Sequence, residues 1–419
     1  MLSSNPKTSA ADGLYAKLTL AAFALFIVLE TAYFLLSGIP RFAEPSLDFT
    51  GYAVGRDFIT TWMGGRSVLG YGPSAWFDPA VHNAALRVML GSGFPQHIWS
   101  YPPHLILFTW PLGLLPYLPA YLLWCALGII LYLLTCAAVL RGRYLLFLAA
   151  APGVAVCVFF GQNGFYTAAL LIGGFALLGR YSILAGILFG ILTIKPQFAI
   201  LLPFMLVLSG RWWALLSAVV TAGGLAVATT YMFGPEVWSV FIHKVIPYQI
   251  RLLESGGGLL SLTASSVFSA GRVLGLPADL AWNLQGLVSL VAVVAVVWAY
   301  GRKRDPVLSM ALFVTATFLA SPYVQNHDMV IFGFIIAALR QHGGNTATDH
   351  TLGLAIWSLP VTMMLLGAVS VPLAPVVLMA FGVRLLSRLA HTGGEVEKRD
   401  EQQKSEPKTV PPPPEPTPA

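Results

Sequence analysis

The chain has 419 residues, of which 57% are hydrophobic and 10% charged, with a formal net charge of +6 and a mean hydropathy of +0.74. A soluble domain carries about 25% charged residues, so this composition excludes a water-soluble globule. Apolar runs recur from Leu18 to Leu389, the mark of an all-α polytopic membrane protein.

In chain order the runs are Leu18–Leu36, Ala120–Leu140, Leu145–Phe160, Phe165–Leu178, Trp213–Phe233, Leu284–Tyr300, Val307–Ala320, Met329–Leu339, Leu352–Val369 and Leu373–Leu389. The first is long and is followed by no small-residue cleavage site, so it is expected to be a retained helix. A further run, Ile183 to Leu208, is interrupted by Lys195-Pro196. Proline there removes a helix hydrogen bond and clashes with the preceding turn, which leaves a kinked crossing or a hairpin of two short helices. Cys125, Cys136 and Cys157 all sit inside apolar runs without metal or redox spacing and are expected to be core residues.

Charge chooses between kink and hairpin. Short cytoplasmic loops are enriched in Lys and Arg. Arg141 with Arg143, Arg180, Arg211, Arg302-Lys303-Arg304, Arg340, and Arg384 with Arg388 all fall inside only if Arg180 and Arg211 share a face. The Lys195-Pro196 run is then a hairpin or re-entrant pair, for about twelve membrane segments with both termini inside. Its arms, at roughly 12 residues, span about 18 Å against a hydrocarbon core of about 30 Å, so they must lean on neighbours or line a cavity.

Two long segments, about 37–119 and 234–281, are left outside. They are rich in Trp and Tyr, which suits ordered structure along the interface, with His104–Leu118 as a short membrane-grazing helix broken by Pro111 and Pro116. Gly256-Gly257-Gly258 suits a flexible joint. Residues 393–419 mix charge with proline and are expected to form a disordered cytoplasmic tail to the membrane domain of 1–392.

Polar residues beside these runs carry the chemistry. Asp57, in Gly55-Arg56-Asp57-Phe58, precedes a loop crowded with Trp, Tyr, Gly and Pro. Such a carboxylate can act as a general base toward an acceptor hydroxyl; the alternative is a structural salt bridge or helix cap. His327 and Asp328 close the polar turn Ser321-Pro322-Tyr323-Val324-Gln325-Asn326-His327-Asp328 between two apolar runs, and ionisable residues at membrane depth default to function. Lys195, beside Gln197, is the one basic residue between Arg180 and Arg211; buried at a proline break, it needs an anionic partner, for which a lipid phosphate is a candidate. Gln162 and Asn163, in Gly161-Gln162-Asn163-Gly164, can hold sugar hydroxyls or serve a plain turn. Tyr101 and His104, in Tyr101-Pro102-Pro103-His104, mark the re-entry into the membrane, and Asp78 in Trp76-Phe77-Asp78-Pro79 reads as a helix cap. There is no phosphate loop, no GxGxxG and no DxD, so a lipid-linked sugar donor fits better than a nucleotide sugar, and no nucleic-acid partner is expected.

The ordered set GRDF with YGPSAWFDP, YPPHLILFTWPLGLLP, GQNGFYTAALL, GILTIKPQFAILLPFMLVLSGRWW and SPYVQNHDMVIF resembles glycosyltransferase family 87 over most of residues 50–335. The resemblance implies a GT-C-type fold and transfer, mannosyl in the best-known members, from a polyprenyl-phosphate sugar to a glycolipid or glycan acceptor. It implies Asp57 as catalytic base, with the Lys195 and His327 segments lining a donor-phosphate pocket and Arg56 beside it. It further implies inverting chemistry at carbon 1; no carboxylate cluster resembles a divalent-metal cage, so no metal or other cofactor is expected, and the basic loops put the site of this multi-pass enzyme toward the periplasm of a bacterial inner membrane. The competing class is a polytopic transporter or flippase for a lipid-linked saccharide, which shares amphiphilic ligands but does not need Asp57 to move a proton.

Overall fold

The computed structural model describes residues 51–405, except 71, 73–75, 142–143 and 256–262, together with scattered positions between 14 and 47. The first apolar run, the Gly256-Gly257-Gly258 joint and the last fourteen residues of the tail therefore fall largely or wholly outside the described residues. Within them the fold is helical, with two isolated β-bridges, Leu47 to Ala53 and Ala264 to Gln325, in place of a sheet.

The first long loop supplies α1 (Phe58–Leu69) and α2 (Pro79–Leu90). Asp78 caps α2 as its Oδ1 accepts from Ala80 N at 2.9 Å, with Pro79 at the first helical position where its missing N–H costs nothing. Residues 103–114 form three short helical turns broken by Pro111, and α3 (Tyr117–Val139) then starts after Pro116. The run after Arg141 divides into Leu145–Ala149 and α4 (Pro152–Phe160), and α5 (Gly164–Leu177) follows the turn at Gly161. Next come α6 (Ser182–Ile191), α7 (Leu202–Leu208), α8 (Trp212–Phe233) and, in the second loop, α9 (Ile246–Ser255). The chain finishes with α10 (Ala278–Gly301), α11 (Pro306–Ala320), α12 (Val330–His342), α13 (Ala347–Gly367) and α14 (Leu373–Ser405). The last helix passes through Gly393, so a helix end does not mark the start of the tail.

Five described helices are long and apolar enough to cross a membrane: α3, α8, α10, α13 and the Leu373–His391 part of α14. That supports a helical membrane protein, though it is fewer crossings than the roughly twelve expected from the apolar runs. The difference lies in helix length: α5, α11 and α12 are only 14, 15 and 13 residues long. Breaks at Pro152 and Pro196 cut continuous apolar sequence into helices too short to span alone, and the first run is mostly undescribed. On α8 the exposed residues include Leu216, Val219, Val220 and Val227, a surface that calls for lipid around it.

Helix α6 and helix α8 run parallel. Ile183 O accepts from Ser217 Oγ at 2.9 Å, and farther along Gly190 abuts Ala218 and Thr221. The stretch between them must therefore reverse, with Lys195 at its turn. Arg141 N meets Gln341 Oε1 at 2.6 Å, His342 lies 3.3 Å from Asp305, and Arg388 reaches Gly343 O at 2.9 Å, so these loops share one end of the bundle. From Asp305, α11 climbs 15 residues to Ser321 and α12 returns. Lys195, the turn at Gly161 and the turn at Asn326–Met329 therefore sit about 20 Å away, at the opposite end. A second core of Phe58, Trp62, Phe77, Trp99, Tyr117 and Tyr121 fixes the first long loop over that end.

Candidate active site

Asp57 stands at the start of α1 but does not spend its side chain on capping: no cap hydrogen bond is made, and the N-terminal turn is closed by Thr60 Oγ1 on the Asp57 carbonyl at 2.9 Å. The lead-in is a tight turn in which Arg56 takes φ 45°, an uncommon backbone region for a residue with a side chain. Tyr117 holds the turn by donating to Val54 O at 2.6 Å. The Asp57 side chain, 30% exposed, opens into a cavity of about 470 Å³, within the range of small-molecule sites at roughly 300–1,000 Å³.

Gln162 sets the carboxylate's orientation. Its Nε2 donates to Asp57 Oδ2 at 2.7 Å while its Oε1 accepts from the Tyr101 hydroxyl. The carboxylate can only accept, so the amide's orientation follows from its two partners. Oδ1 is left facing the imidazole of His97, whose Nε2 is 3.7 Å away.

Across the same cavity the buried ammonium of Lys195 donates to Asp328 Oδ1. The anionic partner that the sequence reading sought in a lipid phosphate is, in the folded chain, this carboxylate. Asp328 also caps its own turn, accepting from Gln325 N at 3.2 Å, and lies 3.9 Å from His327 Nε2. His327 Nδ1 has no hydrogen-bond partner, and burial pushes the ring's pKa down to about 3, so it is a neutral imidazole with hydrogen-bonding capacity to spare. The Tyr101 ring bridges the two halves: Lys195 Nζ lies 5.7 Å from its centroid, and its hydroxyl reaches Gln162.

The turn Gly161-Gln162-Asn163-Gly164 brings the halves together. Gly161 has φ 60° and ends α4 in the left-handed conformation that glycine adopts without strain; a Cβ there would meet Phe58 Cβ at 2.5 Å and Gly55 O at 2.7 Å. A Cβ on Gly164 would lie 2.1 Å from His327 O. One glycine thus seats the Asp57 segment and the other seats the His327 segment.

Of the residues singled out from sequence, Asp57, Tyr101, Gln162, Lys195, Gln197, His327 and Asp328 line the cavity. Arg56, His104 and Asn163 do not. The Arg56 guanidinium lies over the rings of Tyr52 and Phe159 at 4.3 and 5.1 Å. His104 packs on Trp238, with Nε2 3.3 Å from Thr193 Oγ1. The Asn163 amide is buried with no hydrogen-bond partner. Sequence reasoning missed His97, along with Tyr248 and Gln249 on α9. These last two tie the second loop over the cavity, to Gln96 Oε1 and Ser100 O respectively, each at 2.9 Å. Nothing in Phe94-Pro95-Gln96-His97 separates His97 from a plain loop residue; only the fold brings it to Asp57. Among the described residues no three His, Cys, Asp or Glu side chains converge as a metal cage.

A family model, glycosyltransferase family 87, matches residues 99–322, more than half of the chain. The matched span contains Tyr101, Gln162, Lys195 and Gln197, while Asp57, His97, His327 and Asp328 lie outside it. No curated protein and no solved structure matches the chain.

Proposed function

The chain belongs to glycosyltransferase family 87 and is a glycosyltransferase, and we propose that it moves a sugar, mannose in the first instance, from a polyprenyl phosphate to a hydroxyl of a lipid-linked or glycan acceptor. The reading rests on one observation. A carboxylate oriented on one oxygen by Gln162 and open on the other faces, across a single cavity, the only buried lysine among the described residues and a neutral histidine with an unused ring nitrogen.

The acceptor hydroxyl gives its proton to Asp57 Oδ1 as its oxygen bonds to carbon 1 of the sugar. The bond from carbon 1 to the phosphate oxygen breaks on the opposite face, and the polyprenyl phosphate leaves with the electron pair, which inverts the anomeric centre. His327 and Lys195 stabilise that oxygen, the first as a neutral hydrogen-bond donor and the second by sharing its charge between Asp328 and the phosphate. Lys195, His327 and Asp328 are almost wholly out of solvent, and there such contacts stabilise developing charge more than they do in water; the reaction as drawn needs no metal. The basic loops gather at the far end of the bundle, which supports a cavity that opens away from the cytoplasm, toward the periplasm of a bacterial inner membrane.

The test is transfer by the purified protein in lipid vesicles, supplied with a glycolipid acceptor and either polyprenyl-phosphate [14C]mannose or GDP-[14C]mannose. Label should move only from the lipid-linked donor. Transfer from the nucleotide sugar alone, or from no polyprenyl-phosphate sugar, would reject the reading.

A further inference from the structure

Building on Asp57 as the base, we propose that His97 is the second station for the proton, accepting it from Asp57 and returning the carboxylate to its charged form within the catalytic cycle. Four observations carry this. His97 Nδ1 lies 3.0 Å from Pro95 O, and a carbonyl can only accept, so Nδ1 bears the hydrogen of the neutral ring and Nε2 bears a lone pair. That bare nitrogen is the atom facing Asp57 Oδ1 at 3.7 Å. The other carboxylate oxygen is taken by Gln162. The ring is also held in place, stacked on Phe94 with centroids at 5.3 Å and edge-on to Tyr52 at 6.0 Å.

Two lone pairs facing each other are a poor resting contact and a good place for a proton. Once the acceptor hydroxyl has protonated Oδ1, the two groups close from 3.7 Å to hydrogen-bond distance and that O–H bond breaks as Nε2–H forms, leaving a carboxylate beside an imidazolium. The opposite charges hold each other until His97, which lines the open cavity, loses the proton to water. Other charged or titratable groups near the ring or across the cavity include His82 from α2, Tyr52 with Arg56 stacked on it, Tyr248 from α9, Tyr101, Tyr323, His327 and the Lys195–Asp328 pair. Lys195 and Asp328 offset each other, and Asp57 is the carboxylate that faces the ring. His97 also restricts where the acceptor sits: the acceptor hydroxyl must reach Oδ1 from the cavity side, beside the gap to the imidazole and not within it.

The test uses the full chain in vesicles with polyprenyl-phosphate [14C]mannose and a glycolipid acceptor, following the pH profile of kcat. The wild type should show an acid limb in that profile. His97→Asn, which can hydrogen-bond but cannot take the proton, should turn over about 10- to 100-fold more slowly, lose that limb and keep the KM for donor. His97→Ala should regain turnover with added imidazole, a rescue that a purely structural histidine would not show. Wild-type turnover in His97→Asn, or a loss that keeps the wild-type pH profile and ignores imidazole, overturns the proposal. Failure of the wild type to transfer from this donor would reject the broader reading instead.

Discussion

Lys195 donates to the carboxylate of Asp328, 133 residues farther along the chain, and both side chains are almost wholly out of solvent. An unpartnered charge at that depth is costly, so the pair joins the α6–α7 turn to the α11–α12 turn. Removing either member alone should destabilise the protein by about 3–5 kcal/mol. The double variant Lys195→Met, Asp328→Asn should recover much of that stability and none of the activity. Thermal unfolding beside a transfer assay separates the effects; a stable single Lys195→Met variant would show that the pair does not hold the turns.

Asp57→Asn keeps the size of the side chain and an oxygen for Gln162 but cannot take a proton. Turnover should fall about 10²–10⁴-fold with folding and donor binding retained. Activity above half of wild type would remove Asp57 from the chemistry.

Gln162→Glu places a second carboxylate against Asp57. Like charges at that distance raise the pKa of the pair, so more of the base is protonated at pH 7 and turnover there drops. Turnover should recover as pH rises, with the acidic limb moved upward relative to wild type. Gln162→Leu should be slower at every pH without that displacement. An unmoved limb in Gln162→Glu would mean that Gln162 does not touch the working carboxylate.

Val88, on α2, is 89% exposed, while the three native cysteines are buried. A Val88→Cys variant should therefore react with a membrane-impermeant maleimide on whole cells whose outer barrier has been opened. Labelling seen only after the inner membrane is broken would turn the cavity toward the cytoplasm and contradict the proposed orientation.

His82 on α2 is completely buried against Trp76, with ring centroids 3.9 Å apart, and burial pushes its pKa down to about 3. The unfolded chain takes up a proton at this histidine near pH 6.5 while the folded one does not, so stability is lost as pH falls below that value. Between pH 7 and pH 5 this group's share is about 2 kcal/mol. His82→Phe, which keeps a ring against Trp76, should unfold with a shallower dependence on pH across that window. Equal slopes for wild type and variant would show that His82 is not the group responsible.

The helices were readable from the sequence because what makes them is local. The run from Val307 to Ala320 became Pro306–Ala320, and Ala120 to Leu140 became Tyr117–Val139, since apolar content and the spacing of proline act within a few residues. The cap at Asp78 was legible for the same reason. The site was legible as a set of residue types and not as contacts. Asp57, Lys195, Gln162 and His327 stood out as polar groups beside apolar runs, yet no local signal tied Asp57 to Gln162, 105 residues away, or Lys195 to Asp328. His97 carried no signal at all, and Arg56, adjacent to Asp57 in sequence, turned instead to the rings of Tyr52 and Phe159. The apolar pattern by itself determined a helical membrane protein, because period and composition need no distant partner. Which carboxylate faces which cation was decided by tertiary structure alone: those choices depend on how closely Gly161 and Gly164 let three separate chain turns approach, and a close approach between distant segments is a property of packing.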